Sequence, residues 1–311
     1  MSLKVKNIVK KYGEKTVVND LSFSLENPGV YALLGTNGAG KTTSIRVILG
    51  MLDYESGEVL WNGEKLDTSK VNIGYLAEER GLYPKYTLMD QLIYFAELKN
   101  VSASQAKKRI EYWAERLEVT DYLYPKASAK GKKAKPYRAD QLSKGNQQKI
   151  QLMAALISDP ELLILDEPLS GLDPVNSDLF KEIIKEQIEK EKYVIMSSHQ
   201  MATIEEFCSD ITILNKGKAV LQGNLNEIKK SYGRVNLHLK CDENIDSYID
   251  KFDFSDVYQT PEGYHIKVKN DSQAGELLKV LTDNDISVVR FERREPSLHE
   301  IFVEKVGHAD E

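Results

Sequence analysis

The eight residues GTNGAGKT at positions 35–42 follow directly on the apolar run Val30–Leu34 (VYALL) and lead into a helical stretch, Thr42 to Leu49. Three glycines, a lysine and a hydroxyl in one short loop restrict what the chain can build. The glycines let the backbone wrap closely with its N–H groups turned inward, and a helix starting at Thr42 adds its positive N-terminal end. The spacing G-x-x-x-x-G-K-[ST] between a strand and a helix predicts a phosphate cradle. Lys41 is then placed to reach β- and γ-phosphates, and the Thr42 hydroxyl to ligand Mg2+.

Two more apolar runs, Leu162–Leu165 and Tyr193–Ser197 (YVIMS), read as buried strands. Between them, residues 176–190 repeat apolar side chains at helical spacing: Leu179, Ile183, Ile184 and Ile188. Strands alternating with helices predict a mostly parallel sheet with both faces covered. In LLILDE, Asp166 closes the strand, where it can hold Mg2+ through water, and Glu167 follows as a candidate base for an attacking water. Acidic residues at a strand end can also simply cap the next segment; the glycine loop elsewhere in the chain favours the metal-binding reading.

Residues 87–157 carry no comparable strand and predict an inserted helical subdomain, with helices at Thr87–Lys99, Ser104–Leu117 and Asn146–Ile157. Within it, YPKASAKGKKAKPYR holds Lys126, Lys130, Lys132, Lys133, Lys135 and Arg138 around Gly131 and Pro136. A solvated loop is the plain reading of such a charge run, and contact with acidic lipid headgroups the sharper one. A second domain is expected over 229–311, after a first over 1–228. Its strands are Val235–Lys240, Val257–Thr260, Tyr264–Val268 and Ile286–Arg293; its helices are Asn244–Lys251, Ser272–Leu281 and one from Ser297. The order β-α-β-β-α-β-α predicts a small ferredoxin-like α+β domain.

A chain of 311 residues with 41% hydrophobic and 29% charged side chains has room for both domains. Its longest apolar runs are strand length, far short of the roughly 20 residues needed to cross a bilayer. The N-terminal MSLKVKNIVKKYG lacks the apolar segment of a secretory signal, and Cys208 and Cys241 are too few and too far apart for a disulfide framework or zinc site. These features predict a cytoplasmic protein. The net charge of −6 argues against general nucleic-acid binding.

Taken in chain order, Tyr12, GTNGAGKT, LSKGNQQK, LLILDEP, SGLD and the isolated histidine of SSHQ resemble the ATPase subunit of ATP-binding-cassette (ABC) transporters, over about residues 1–225. The resemblance implies a P-loop NTPase core with an inserted helical subdomain, using ATP and Mg2+. It implies that Tyr12 stacks on adenine and that Gly35, Thr36, Asn37, Gly38, Ala39, Gly40, Lys41, Thr42 and Thr43 bind ATP. Leu142, Ser143, Lys144, Gly145 and Asn146 match the signature segment, whose Ser143 would contact the γ-phosphate held by an opposite subunit. Ser143 also suits the N-cap of the helix after it. Asp173, in Ser170-Gly171-Leu172-Asp173, matches the loop communicating between two sites, and His199 the switch histidine at the γ-phosphate.

Two departures stand out. Lys144 and Asn146 replace the third and fifth residues of the usual Leu-Ser-Gly-Gly-Gln. Glu78, in IGYLAEE, stands where the family commonly has a glutamine that helps bind Mg2+ and links the site to the membrane subunit. A carboxylate can also ligand Mg2+, but it adds negative charge beside a triphosphate.

GYLAEERGLYPKYT, LSKGNQQK and the terminal REPSLHEIF are similar to ATPases of sodium-, drug- and antibiotic-exporting systems whose permease is a separate chain; the region from about 230 is similar to their appended domain. The resemblance therefore implies an exporter subunit, peripheral at the inner face of the membrane through its permease. Two copies would face head to tail around two ATP molecules, with Lys41, Glu167 and His199 carrying hydrolysis. A soluble ABC ATPase acting on ribosomes or DNA is the competing class; the single phosphate loop and the lack of sustained heptads weigh against it. A binding module without turnover gains nothing from a chain that keeps Asp166, Glu167 and His199.

Overall fold

The computed structural model describes residues 1–79, 81–126 and 135–307. Lys130, Lys132 and Lys133, on which the loop and lipid readings rest, lie outside them. The chain forms two compact units, 1–222 and 223–311. A division at 228/229 would cut a helix that starts at Leu225, where the Asn224 side chain accepts the N–H groups of Asn226 and Glu227.

In the first unit β1 (Leu3–Tyr12) and β2 (Lys15–Leu25) pair antiparallel. β3 (Gly29–Leu34) is buried at every position and runs into the glycine loop, from which α1 (Lys41–Ile48) departs. β4 (Ser56–Trp61) and β5 (Glu64–Lys65) complete an antiparallel sheet in the order β2-β1-β4-β5. After β6 (Ile73–Leu76) come the helices of the insertion: α2 (Leu88–Leu98), α3 (Ala103–Arg116), the single turn α4 (Thr120–Leu123) and α5 (Lys144–Leu156). Thr87, Ser102 and Ser143 cap three of them by accepting a backbone N–H three residues on. The chain then alternates through β7 (Leu162–Asp166), α6 (Pro174–Glu189), β8 (Tyr193–Ser198), α7 (Met201–Glu205), β9 (Asp210–Asn215) and β10 (Lys218–Asn224).

The second sheet has the order β10-β9-β3-β8-β7-β6. β3 pairs parallel with β8 and β9, and β7 parallel with β6 and β8. Both sheets and α1 share one core, in which Phe23 stacks on Tyr31 at 4.5 Å and Trp61 meets Tyr193 edge-on at 5.4 Å. Each such fully buried large side chain stabilises the fold by about 1.5–3 kcal/mol. The parallel sheet is the one expected. The antiparallel sheet beside it was not foreseen, because Asn7 and Asp20 adopt left-handed φ of 48° and 58° and the register of β1 slips between Val5 and Ile8. That slip breaks the two-residue alternation on which strand recognition depends.

The second unit starts with α8 (Leu225–Tyr232) and continues β11 (Asn236–Cys241), α9 (Asp246–Ile249), β12 (Asp256–Thr260), β13 (Gly263–Lys267), α10 (Asp271–Asp283), β14 (Val288–Arg294) and α11 (Leu298–Gly307). Its strands pair antiparallel in the order β12-β13-β11-β14, the ferredoxin-like arrangement. Leu237, Leu239, Tyr264 and Ile266 pack with Ile249, Ala274, Leu277 and Leu281 of the helices. The helix expected over 244–251 contracts to the single turn α9, with Asp246 accepting the Tyr264 hydroxyl at 2.7 Å. Among the described residues no helix is long and apolar enough to cross a membrane.

Candidate functional site

Strand register brings the chemistry together. Leu34 at the end of β3 lies beside Ser198 of β8, and Ser197 beside Asp166 at the end of β7. Three carboxyl ends of a parallel sheet thus converge, the crevice where such sheets bind ligands.

The loop after β3 is tightly buttressed. At Gly35, φ is 154° and a Cβ would stand 2.5 Å from the Leu214 carbonyl oxygen; at Gly40, φ is 108° and a Cβ would stand 2.8 Å from that of Val17. Gly217 holds the loop from behind, donating its N–H to Ala39 O at 3.0 Å while its own carbonyl accepts from Asn19 N at 2.8 Å. Gly40 precedes α1 with no side-chain cap, so the N–H groups of the first turn stay open to an anion.

Lys41 is buried, 6% exposed, and its ammonium donates to Gly35 O at 2.8 Å and Thr36 O at 3.3 Å. It also lies 3.1 Å from Glu167 Oε1, while Glu167 Oε2 meets His199 Nδ1 at 2.8 Å. A lysine from the loop, the candidate base and the candidate switch histidine therefore form one chain of contacts. Thr42 donates its hydroxyl to Asp166 Oδ1 at 3.2 Å, and Ser197 donates to the same oxygen at 2.5 Å. The other oxygen, Oδ2, is buried without a hydrogen-bond partner. Burial pushes the Asp166 carboxyl above its usual range, the Ser197 and Thr42 hydroxyls pull it down, neighbouring Glu167 pushes it up and Lys41 pulls it down.

That orphaned oxygen beside a threonine hydroxyl fits a hard divalent cation, for which oxygen donors are the natural set. Among the described residues no group of three or more His, Cys, Asp or Glu is arranged to hold a metal, so Asp166 and Thr42 are the donors this network offers such an ion.

The remaining expected residues stand apart. Among the described residues no hydrogen bond or ion pair joins Tyr12, Glu78, Leu142–Asn146 or Asp173 to this network. Tyr12 is half exposed at the end of β1, with the Lys10 ammonium 5.3 Å from its ring centre. Glu78 is exposed just beyond β6, and Asn37, Gly38 and half-buried Thr43 complete the loop and first turn. Leu142 is buried, and Ser143 begins α5, accepting the N–H of Asn146 at 3.3 Å. Lys144 is exposed, Gly145 faces Leu172 and Asn176, and Asn146 donates to the Tyr122 hydroxyl at 2.9 Å. Asp173 caps α6 through Asn176 N at 2.9 Å, and that backbone hydrogen bond holds its carboxyl below the usual range. Ser197 and Gly217 were missed by sequence reasoning; only the nearness of Ser197 to His199 in SSHQ pointed toward it.

Residues 18–170 match the ABC transporter family, and residues 223–306 match the C-terminal domain described as that of ATP-binding protein DrrA1-3-like proteins. The chain is 40% identical to the uncharacterized ABC transporter ATP-binding protein YhaQ of Bacillus subtilis (strain 168), over 98% of each chain. It is 32% identical to the Nod factor export ATP-binding protein I of Burkholderia orbicola (strain AU 1054), over 70% of this chain and 69% of that one. Among solved structures, an ATP-binding subunit of an ABC transporter superposes with a TM-score of 0.66 at 28% identity, over 75% of this chain and 94% of that one. With its fold, its phosphate loop and a relative matched from end to end in agreement, the chain belongs to the ATP-binding proteins of the ABC transporter family.

Proposed function

We propose that the chain hydrolyses Mg2+-ATP and uses the cycle to drive a separate membrane permease of the exporter type. The observation that carries this reading is the convergence of Lys41, Thr42, Asp166, Glu167 and His199 at one strand-end crevice. ATP enters as substrate, its adenine on Tyr12 and its phosphates in the loop from Gly35 to Thr43. Thr42 and Asp166 would hold Mg2+, which would supply positive charge against the phosphates. Lys41 exchanges its contact with Glu167 for a phosphate oxygen. Glu167, released on one side and held by His199 on the other, accepts a proton from water. Glu78, next to β6, is a lesser candidate for the metal's surroundings.

Ser143 serves the ATP of a second copy, with Asp173 in the communicating loop between the two sites. The pair is a homodimer at the inner face of the cell membrane, held there by the permease; no nucleic acid takes part. Support for export comes from the relative named for Nod factor export. Both relatives bear transporter names, which sets the ribosome and DNA readings aside.

Glu167→Gln is the direct test. It should bind Mg2+-ATP as tightly as the wild type, lose turnover by a factor of about 10³ or more, and accumulate as an ATP-bound dimer. A normal steady-state rate would overturn the assignment of the base. Co-purification with a multi-spanning membrane protein supports the permease; recovery with ribosomes alone would reverse the transport reading.

A further inference from the structure

We propose that Ser197 is the positioning residue of this site, one hydroxyl that fixes Asp166 for the metal and Glu167 for water. The inference rests on the reading that Thr42 and Asp166 hold Mg2+ beside ATP.

Ser197 is fully buried, the penultimate residue of β8, and in register with Asp166. A serine hydroxyl offers one donor and two acceptor positions. Here the donor goes to Asp166 Oδ1 at 2.5 Å, and the oxygen accepts the backbone N–H of Glu167 at 2.9 Å. The first bond, with Thr42 on the same oxygen, pins the carboxylate by one edge and leaves buried Oδ2 free. The second acts on the backbone. Glu167 has φ of 49°, in the left-handed region that non-glycine residues disfavour, as the chain turns out of β7. Ser197 anchors that turn, out of which the Glu167 side chain reaches Lys41 at 3.1 Å and His199 at 2.8 Å.

Two carboxylates adjacent in sequence therefore serve different partners because one hydroxyl separates them. The neighbouring hydroxyl of Ser198 does not share this task, since it accepts the N–H of Gln200 at 2.9 Å. Residues that orient a metal ligand typically change metal affinity or activity by about 10–100-fold when removed.

The test uses the purified full chain, Ser197→Ala, and Ser198→Ala as a control. Mn2+ is titrated in the presence of a non-hydrolysable ATP analogue and followed by electron paramagnetic resonance. Binding of a fluorescent ATP analogue is measured separately in EDTA, turnover in Mg2+, and unfolding by calorimetry. Ser197→Ala should weaken Mn2+ by about tenfold or more and lower kcat by a similar factor, with metal-free nucleotide affinity within about twofold. Ser198→Ala should keep wild-type metal affinity. Wild-type Mn2+ affinity and kcat in Ser197→Ala would overturn the proposal, as would equal losses of metal-free and metal-dependent binding, the mark of a merely structural role. Should alanine leave Glu167 N–H unpaired and prevent folding, Ser197→Cys gives the graded version. A weaker donor should lower Mn2+ affinity more than metal-free nucleotide affinity, and the reverse order would overturn the idea. A wild-type chain with no nucleotide-dependent Mn2+ site would instead sink the Mg2+ reading itself.

Discussion

Asp166 is fully buried yet has one carboxylate oxygen with no partner, and burial holds its carboxyl above the ordinary range. The sign of the resulting linkage is fixed. The unfolded carboxyl loses its proton first as pH rises, so the fold is favoured below that range and loses this contribution as pH climbs through the raised value. At neutral pH the charge works against the fold, a cost that the proposed metal ion would offset. Asp166→Asn retains an oxygen for the Ser197 and Thr42 hydroxyls while removing the charge. It should raise the melting temperature at pH 7 by about 2–4 °C, the shift that roughly 1 kcal/mol gives in a unit of this size. Calorimetry over a pH series should show the gain shrinking toward acid pH, and Mg2+-dependent turnover should vanish. Lys41, Thr42, Asp166, Glu167 and His199 could be picked out of the sequence because each occupies a motif, and the structure sets them in contact at one crevice. Their junction through Ser197 was not, since the strands that bring Ser197 to Asp166 are far apart in sequence and meet only through the register of β7 and β8.

At the scale of elements, the phosphate loop depends on packing as much as on conformational freedom. Gly38 has φ of 80° with nothing within 4 Å of an added Cβ, whereas at Gly40 that carbon would press on the Val17 carbonyl. Gly38→Ala should therefore cost only the left-handed penalty, about 1–2 kcal/mol. Gly40→Ala adds a collision with backbone that cannot step aside and should cost at least about 3 kcal/mol, with weaker ATP binding as the open turn of α1 is displaced. Urea denaturation of the pair, each with a nucleotide titration, separates the two; equal losses would show that β2 yields to the loop. The strands β3, β7 and β8 were readable because sheets covered on both faces demand unbroken apolar runs. β1 and β2 were not, since left-handed Asn7 and Asp20 interrupt their alternation. The capped helices were found to within a residue or two, the limit set when a cap side chain and not the apolar pattern decides where a helix starts.

For the whole molecule, Ser143 poses the question of completeness. It caps α5, Gly145 beside it faces Leu172 and Asn176, and among the described residues no hydrogen bond joins Leu142–Asn146 to the phosphate loop of the same chain. On the reading proposed above, the exposed serine and the N–H groups after it meet a phosphate that another molecule brings. In a two-fold pair each crevice then takes Lys41 from one copy and Ser143 from the other. The arrangement predicts complementation between defective chains. In a Glu167→Gln background, Lys41→Ala should fail to bind ATP and remain monomeric. Ser143→Arg should bind ATP yet also remain monomeric, because its side chain collides with the partner's loop where that loop holds ATP; the empty loop of Lys41→Ala leaves room for it. Mixed in equal amounts with Mg2+-ATP, the two can form one sound crevice, from Lys41 of the Ser143→Arg chain and Ser143 of the Lys41→Ala chain. Sedimentation velocity should show a dimer in the mixture and in neither variant alone. A crevice completed within a single chain predicts no gain on mixing, so a mixture that stays monomeric, or a Ser143→Arg chain that dimerises by itself, would remove the second copy from the site.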